Sequence, residues 1–386
     1  MEQPVLMSDM PSLIEQEFNL QDDLIHLNHA AVGPWPGRTL QAVEAFAREN
    51  HQLGSLHYPQ WITVETRLRE RCARLINARA EDIALVKNTS EALSMVAWGI
   101  DWQPGDTVII SDEEFPSNRI VWESLQSRGV QVRQVNLHGH QSPEQALIEA
   151  FDAQTRLLAI SSVQYASGLR VDLEQLGEHC RQHNVLFCVD AIQSIGAMQL
   201  DVQACGADFV MADGHKWLLG PEGLALFYSR AQARESLQLF EYGWHMVEQM
   251  GEFDNPQWEP AHSARRFECG SPNMLCTHAL EASLSLFDEI GMTAIEQQVL
   301  ENSQRMFELI SQLPHLELIT DTQAGRYAGI VVFKHTQIPV EQLYPWLMEQ
   351  RVLCARRGGG IRFSPHFYTP WAKIEQGLQL ANAGPQ

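Results

Sequence analysis

The sequence predicts an α/β protein in which a mainly parallel sheet is followed by a smaller α+β domain. Between residues 83 and 211, short apolar runs rich in β-branched residues alternate with helix-like stretches such as Leu173–His183. This alternation is typical of right-handed β-α-β units. The runs lack polar alternation, which indicates strands that are buried on both faces of the sheet. After about residue 265 the strand-like runs become fewer and more widely separated, which predicts a second domain.

The predicted strands and helices divide the chain into three parts. The strand-like runs of the large domain lie at 83–86, 107–110, 157–163, 185–189 and 208–211. Helix-like stretches follow at 278–290 and 294–313, and the last strand-like runs lie at 329–333, 352–355 and 361–364. We therefore predict an N-terminal arm at 1–30, a large domain at 31–264, and a small C-terminal domain at 265–386 that includes part of the arm.

Composition argues against several classes of protein. The 386 residues carry 27 basic and 48 acidic side chains, a net charge of −21, so the chain is a poor candidate for binding nucleic acid or anionic lipid. No apolar run approaches the roughly 18 residues of a transmembrane helix. Residues 1–21 contain acidic but no basic side chains, unlike a secretory signal. Seven cysteines without a CxxC pair fit a reducing compartment, so we expect a cytoplasmic protein.

Chemically active residue types follow the predicted strands. Ligands of open α/β sheets bind beyond the carboxyl ends of the strands. Here those ends carry an anion-binding turn, an aromatic ring, a phenol, a carboxylate and an amine, contributed by 88–91, Phe115, Tyr165, Asp190 and Lys216. Together they predict a binding site at one edge of the sheet.

The amine and the carboxylate are the most informative members of this set. Lys216 is one of only four lysines, and a partly desolvated amine at this edge could bond covalently to a carbonyl group. The alternative is a solvated lysine at a strand end. Asp190 ends a buried run and needs a partner such as a protonated pyridine nitrogen. Its alternative role is to cap the next helix.

Other polar residues allow two interpretations each. The segment 88–91 has capping-box spacing, and a helix N-terminus of this kind also binds anions. Phe115 could stack on a planar cofactor or belong to the core. Gln193 is within reach of the same edge, or it is an exposed helix residue. Arg362 lies on an apolar strand, where its guanidinium could bind a substrate carboxylate or form a structural ion pair.

The spacing of Asp190 from Gly214-His215-Lys216, together with the upstream Thr-Ser-Glu turn, resembles the class V aminotransferases. These are fold-type I pyridoxal-phosphate (PLP) transferases and relatives, among them cysteine desulfurases, kynureninases and isopenicillin-N-epimerase-like proteins. The likeness extends from Leu27 to Tyr368. It implies a PLP enzyme that acts on a small α-amino acid.

The resemblance also implies a role for individual residues. Lys216 would hold PLP covalently and then move the Cα proton, and Asp190 would pair with the pyridine nitrogen. Arg362 would bind the substrate α-carboxylate. The other cofactor contacts implied within the chain are Thr89, Ser90, Phe115, Gln193 and His215. Tyr165 is also expected near the ring, although it departs from the family pattern, because desulfurases have an asparagine there.

Three further segments extend the resemblance. Residues 266–273 resemble a segment that crosses a dimer interface, so Ser271 would contact the phosphate of the neighbouring subunit in a homodimer with shared active sites. His29 lies in a run that resembles the N-terminal substrate loop. Trp244 and His245 resemble a pocket-lining segment of kynureninase-like members, although ordinary packing of the tryptophan is the alternative.

Two departures from the family pattern concern the phosphate and sulfur. Asp213 replaces a phosphate-binding serine of desulfurases, and a carboxylate there is unfavourable unless it points away or pairs with a donor. The segment 356–360 is short and lacks the loop cysteine of desulfurases, while Cys354 lies in an apolar run and is expected to be buried. These features argue against desulfurase chemistry.

Several reactions remain open at this stage. Family frequency places an aminotransferase first, with a PLP-dependent β-lyase (a C–S lyase or desulfurase-like enzyme) or an epimerase as alternatives. A non-catalytic PLP-binding relative is a further alternative. No metal site is expected, because the histidine pairs 138/140 and 179/183 lack an HExxH motif or a cysteine cluster.

Overall fold

The computed structural model of the protein describes residues 10–385. The strands are β1 Ile25–His26, β2 Ile83–Val86, β3 Thr107–Ser111, β4 Gln131–Val135, β5 Thr155–Ser161, β6 Leu186–Asp190, β7 Phe209–Asp213, β8 Ala225–Ser229, β9 Leu316–Leu318, β10 Val331–His335, β11 Val352–Leu353, β12 Ala355–Arg357 and β13 Gly360–Phe363. The helices are α1 Met10–Glu17, α2 Gly37–Leu53, α3 Tyr58–Leu75, α4 Thr89–Gly99, α5 Ser117–Glu123, α6 Pro143–Glu149, α7 Leu173–His183, α8 Ala231–Glu235, α9 Met274–Ile290, α10 Met292–Gln312, α11 Val340–Glu349 and α12 Trp371–Ala383.

Seven strands form the central sheet in the order β2-β8-β7-β6-β5-β3-β4. The five neighbours from β7 to β4 are parallel, and β8 runs antiparallel to both β7 and β2. The predicted α/β class with a mainly parallel sheet is confirmed. Two strands of this sheet were not predicted: β4 is a partly exposed edge strand in which three of the five residues are polar, and β8 returns in the antiparallel direction.

The sheet is buried on both faces, as its sequence indicates. Along β5, Leu158 and Ile160 pack in one apolar cluster, whereas Leu157 and Ala159 pack in the cluster on the opposite face. This alternation follows from the two-residue period of a strand. Burial on both faces fixes the register of the parallel strands, so their carboxyl ends lie along one edge.

The C-terminal third contains a four-stranded antiparallel sheet in the order β12-β13-β10-β9. The short strand β1 pairs in parallel with β11, with Ile25 opposite Val352, so residues near the N-terminus join this part of the chain. The Asn28 backbone continues the pairing as a bridge to Ser364. The predicted boundaries at 30 and 264 stay predictions, and residues 1–9 of the arm lie outside the described residues.

Helix α9, which follows the predicted boundary, packs on α2 and α3 of the N-terminal part. Ion pairs from Glu281 to Arg67 and Arg71 cross this contact, so the two parts of the chain share an extensive interface. Among residues 10–385, every helix is too short or too polar to span a bilayer.

Candidate active site

A cavity of about 270 Å³ opens at the carboxyl ends of the parallel strands. Its walls come from the ends of β2, β3, β5, β6 and β7 and from β13 of the second sheet. The structure brings nine of the predicted site residues together here: Thr89, Ser90, Phe115, Tyr165, Asp190, Gln193, His215, Lys216 and Arg362. Residues separated by as much as 273 positions therefore share one site, as the strand-end argument predicted.

The amine of Lys216 faces an aromatic ring inside this cavity. The Lys216 side chain is buried, and its Nζ lies 5.6 Å from the ring centroid of Phe115. Burial lowers the pKa of Lys216 to about 8, although the negative charge of Asp190 opposes the shift. An appreciable fraction of this amine is therefore neutral, and thus nucleophilic and basic, near neutral pH.

Asp190 is the last residue of β6 and is almost fully buried. Its Oδ1 accepts a hydrogen bond of 3.1 Å from the Ile192 backbone N–H. Burial raises the pKa of Asp190 to about 7, and the positive charge of Lys216 limits this rise. The carboxylate thus caps the following turn. A further cationic group in the cavity would also stabilise its charged form.

The N-terminus of α4 forms the anion-binding turn. The Asn88 side chain accepts a hydrogen bond of 2.9 Å from the Glu91 N–H, and Glu91 Oε2 accepts one of 2.6 Å from the Lys87 N–H. Asn88 therefore caps the helix, but the capping box is incomplete, because Glu91 accepts from the N–H of Lys87 and not from that of Asn88. Thr89 and Ser90, the first residues of α4, line the cavity, so the positive end of the helix faces it. The Ser90 hydroxyl donates to Ser117 at 2.8 Å. Within the described chain, the buried Thr89 Oγ1 has no hydrogen-bond partner.

Arg362 on β13 is a buried cation without a counter-ion. Its Nη1 donates to the Tyr165 carbonyl at 2.7 Å and its Nη2 to Asn28 Oδ1 at 3.4 Å. Between residues 10 and 385 it forms no salt bridge, and its buried Nε has no hydrogen-bond partner. Burial lowers its pKa to about 10. The structural ion pair considered above is therefore not formed. A buried guanidinium without a counter-ion favours the binding of an incoming carboxylate.

The remaining polar and aromatic groups complete the walls. Phe115 and Tyr165 meet edge to face with their centroids 5.1 Å apart. Gln193 is buried rather than exposed, because its amide donates to the Ala30 carbonyl at 3.1 Å and accepts from the Trp217 indole at 3.0 Å. Burial lowers the pKa of His215 to about 4, so its imidazole is neutral at physiological pH.

His29 does not reach the cavity within this chain. It is fully buried, with one ring nitrogen 2.6 Å from the Tyr368 hydroxyl and the other 2.9 Å from the Ser364 carbonyl. The next residues, 30–32, line the cavity in its place. The sequence therefore located the correct segment but the wrong side chain.

Trp244, His245 and Ser271 also lie away from this cavity. Trp244 packs near Phe253 in a separate depression, and Ser271 is exposed. His245 is buried beside Glu65 and Glu268, which share hydrogen bonds from Arg69. The assignment of Ser271 to the phosphate of a neighbouring subunit and that of Trp244 and His245 to the substrate pocket stay predictions.

Four further residues of the cavity wall were not predicted from the sequence. Ser117, Ile192, Glu222 and Arg357 all line it. Ser117 follows Phe115 in a strand-end loop and could have been found by the same argument. Glu222 lies in a turn and Arg357 ends β12, and the approach of both to the cavity depends on tertiary packing.

Sulfur chemistry on the protein would need an accessible thiol. All seven cysteines are described, and none lines the cavity. Cys354 is buried as expected, and burial raises its pKa to about 12. Only Gly358 and Gly359 separate β12 from β13, so the segment before Arg362 is a tight turn.

Known proteins match nearly the whole chain. A probable cysteine desulfurase from Methanothermobacter thermautotrophicus is 29% identical over 94% of this chain and 95% of its own. A structure of a C-DES mutant with glycine covalently linked to its PLP cofactor aligns with a TM-score of 0.88 at 22% identity, over 94% of this chain and 97% of its own. The cystine C–S lyase C-DES in complex with its reaction product cysteine persulfide gives 0.87 at 23% identity, over 94% and 99%.

These structural alignments support the fold found here. The family model for class-V aminotransferases matches residues 25–366, from β1 to the segment that follows β13. The protein therefore belongs to the aminotransferase class-V family of PLP-dependent enzymes.

Proposed function

We propose that the protein is a PLP-dependent C–S lyase. It would release sulfur from the β-carbon of a small α-amino acid by β-elimination, without passing that sulfur to one of its own cysteines. A relative named probable cysteine desulfurase and a structural neighbour named cystine C–S lyase support C–S cleavage. Transamination, placed first from the sequence, has no comparable support among these relatives.

The observation that carries this proposal is the composition of the cavity. It contains an amine with a lowered pKa, a buried carboxylate and an unpaired buried guanidinium, but no thiol from the described residues. For elimination from an amino acid bound to PLP, the protein must supply a base for the Cα proton and a cation for the carboxylate, which the amine and the guanidinium provide. Transfer of sulfur to the enzyme requires a nucleophilic thiolate as well.

The residues of the cavity fit PLP. The helix α4 N-terminus, with Thr89 Oγ1 left without a partner, suits the phosphate. Phe115 offers a ring face, and Asp190 offers a carboxylate for the pyridine nitrogen. Lys216 supplies the amine for the covalent link. When bound, PLP provides an electron sink for negative charge that develops at the substrate Cα.

The chain's own groups then divide the work. The Arg362 guanidinium binds the α-carboxylate and fixes the orientation of the Cα–H bond. Lys216 Nζ accepts the Cα proton as the Cβ–S bond breaks and the sulfur leaves with the electron pair. With one water molecule, a β-thio-substituted alanine yields pyruvate, ammonia and a thiol. A disulfide-linked substrate yields a persulfide in place of the thiol.

Cysteine variants test whether a protein thiol takes part. Cys354 is nearest in sequence to Arg362, and Cys269 is the least buried of the seven cysteines. We expect the double variant Cys269→Ser/Cys354→Ser to retain kcat/KM for C–S cleavage within about twofold, because neither thiol enters the reaction. Product formation is the readout. Mass spectrometry after turnover should find no added sulfur atom on any cysteine.

A large loss of turnover in the double variant, together with a persulfide on the wild-type protein, would overturn the lyase assignment in favour of a desulfurase. The two single variants then identify the cysteine responsible. The variant Cys205→Ser, at another buried cysteine remote from the cavity lining, controls for a general effect of replacing a buried thiol.

We also propose a homodimer. Ser271 is exposed in the chain, which leaves its hydroxyl available to the phosphate site of a second subunit. Mixed dimers of the variants Lys216→Ala and Ser271→Ala test this arrangement. If the sites are shared, the two lesions fall in one site of each mixed dimer and the other site recovers activity.

A further inference from the structure

Asp213 occupies the helix end that the phosphate is proposed to use. It is the last residue of β7, and its Oδ1 accepts a hydrogen bond of 2.7 Å from the backbone N–H of Thr89, the first residue of α4. The carboxylate therefore already pairs with the positive end of the helix dipole. Asp213 lines the same cavity as Thr89, Ser90 and His215.

The charges around Asp213 do not neutralise it fully. His215 Nδ1 lies 3.6 Å from its carboxylate, but burial keeps that imidazole neutral. Lys216 stabilises the carboxylate, whereas Glu222 and Asp190 act as like charges. Burial raises the pKa of Asp213 to about 6, although the hydrogen bond from the Thr89 N–H acts to lower it.

We propose that Asp213 takes up one proton from solvent when the phosphate of PLP binds at the N-terminus of α4, so that cofactor affinity is coupled to pH through this residue. The inference rests on the proposed function, because it requires the phosphate to occupy that helix end. A carboxylate and a phosphate dianion that share one helix N-terminus repel each other, and the repulsion is strong in a buried site. A protonated carboxyl group removes it.

The direction of the coupling follows from linkage. The phosphate raises the pKa of Asp213 further, so binding is tightest where the carboxyl is already protonated. Affinity then falls as pH rises above about 6, by up to about tenfold per pH unit for one proton, until the pKa of the bound state is passed.

The experiment measures PLP affinity of the full chain freed of cofactor, by quenching of tryptophan fluorescence, from about pH 5 to about pH 8. The variant Asp213→Asn keeps an oxygen that can accept from Thr89 but cannot ionise. We expect the ratio of wild-type Kd to variant Kd to rise from near one at the acidic end to about tenfold or more at the alkaline end. Asp213→Ser serves as a second variant.

Glu222→Gln is the matched control, because it removes a negative charge from the same cavity. It should change the ratio much less, since no hydrogen bond joins Glu222 to α4 among the described residues. Calorimetry in buffers of different ionisation enthalpy counts the protons directly. Wild type should take up more protons than Asp213→Asn.

A pH-independent ratio, or weaker binding by Asp213→Asn throughout, overturns the coupling. Ser90→Ala separates this failure from that of the proposed function. If Ser90→Ala weakens PLP binding while Asp213→Asn shows no pH-dependent gain, the phosphate site stands and only the coupling fails. If Ser90→Ala leaves PLP affinity unchanged, the phosphate binds elsewhere, and both the proposed phosphate site and the coupling fail.

Discussion

The cavity and the histidine cluster behind it are both rich in buried polar side chains, but they satisfy those side chains differently. The cluster consists of His29, His366 and Tyr368, packed ring against ring next to Trp217. His29 and His366 have hydrogen-bond partners on both ring nitrogens. In the cavity, Arg362 Nε and Thr89 Oγ1 have none within the described chain.

This difference indicates which buried polar groups bind a ligand and which support the fold. A buried polar group that is fully paired contributes to stability, whereas one left open lowers stability until a ligand pairs with it. The cluster lies directly behind Lys216: His366 Nε2 is 3.0 Å from the carbonyl of Trp217, the next residue in the chain. We therefore assign the cluster to holding the lysine turn in place, and the cavity to ligand binding.

The largest effect on substrate affinity is expected from the cavity, where buried polar groups lack partners. Arg362→Gln removes the cation proposed to bind the α-carboxylate, so KM for α-amino acids should rise by roughly 10-fold to 100-fold, as for lost charged hydrogen bonds. The affinity for amines that lack a carboxylate should barely change. Steady-state kinetics and spectral titrations of the PLP-bound protein measure the two effects.

Arg356→Gln is the control for Arg362, because Arg356 lies on the neighbouring strand β12 but is exposed and pairs with Glu341 at 3.4 Å. It should leave KM unchanged. Equal losses for amino acids and for simple amines in Arg362→Gln would show that this arginine supports the fold, and would remove the distinction between the two regions.

The histidine cluster is expected to affect stability at acidic pH rather than substrate affinity. Burial lowers the pKa of His366 to about 4 and that of His29 well below its usual value. The unfolded chain thus binds more protons than the folded one below about pH 6.5, so stability falls as pH drops from there towards 4. His366 alone contributes roughly 3 kcal/mol to this loss.

Thermal unfolding of the protein measured across that pH range tests this prediction. His366→Gln should reduce stability at neutral pH but flatten its acid dependence, while PLP still binds. The exposed His183→Gln should leave the profile unchanged. An unaltered acid profile in His366→Gln would mean that other groups govern acid unfolding.

How far the sequence reached depends on what positions each residue. Asp190 and Lys216 follow buried parallel strands, and the register of those strands determines where the residues lie, so their meeting was predictable. Arg357 reaches the cavity from the end of β12 in the other sheet, and no local pattern in the sequence reveals this approach. His29 was misplaced because bridge pairing of Asn28 with Ser364 turns its ring inward, towards Tyr368.

The edge strand β4 was missed for a related reason. Three of its five residues are polar and none is fully buried, and a search for continuous apolar runs overlooks such a strand. The burial of Cys354, in contrast, was predicted correctly. The apolar neighbours of Cys354 were enough to predict its burial, because burial of a short strand depends mainly on local hydrophobicity.

Product analysis tests the central claim most directly: the protein cleaves a C–S bond by elimination and uses no thiol of its own. The PLP-bound protein is incubated with L-cystine and, separately, with L-cysteine, with Lys216→Ala as the blank. We predict pyruvate and ammonia in equal amounts, with sulfur released as a persulfide or sulfide. Alanine as the carbon product would contradict the claim and indicate a desulfurase. A sulfur-containing keto acid with stoichiometric conversion of PLP to its amine form would indicate an aminotransferase.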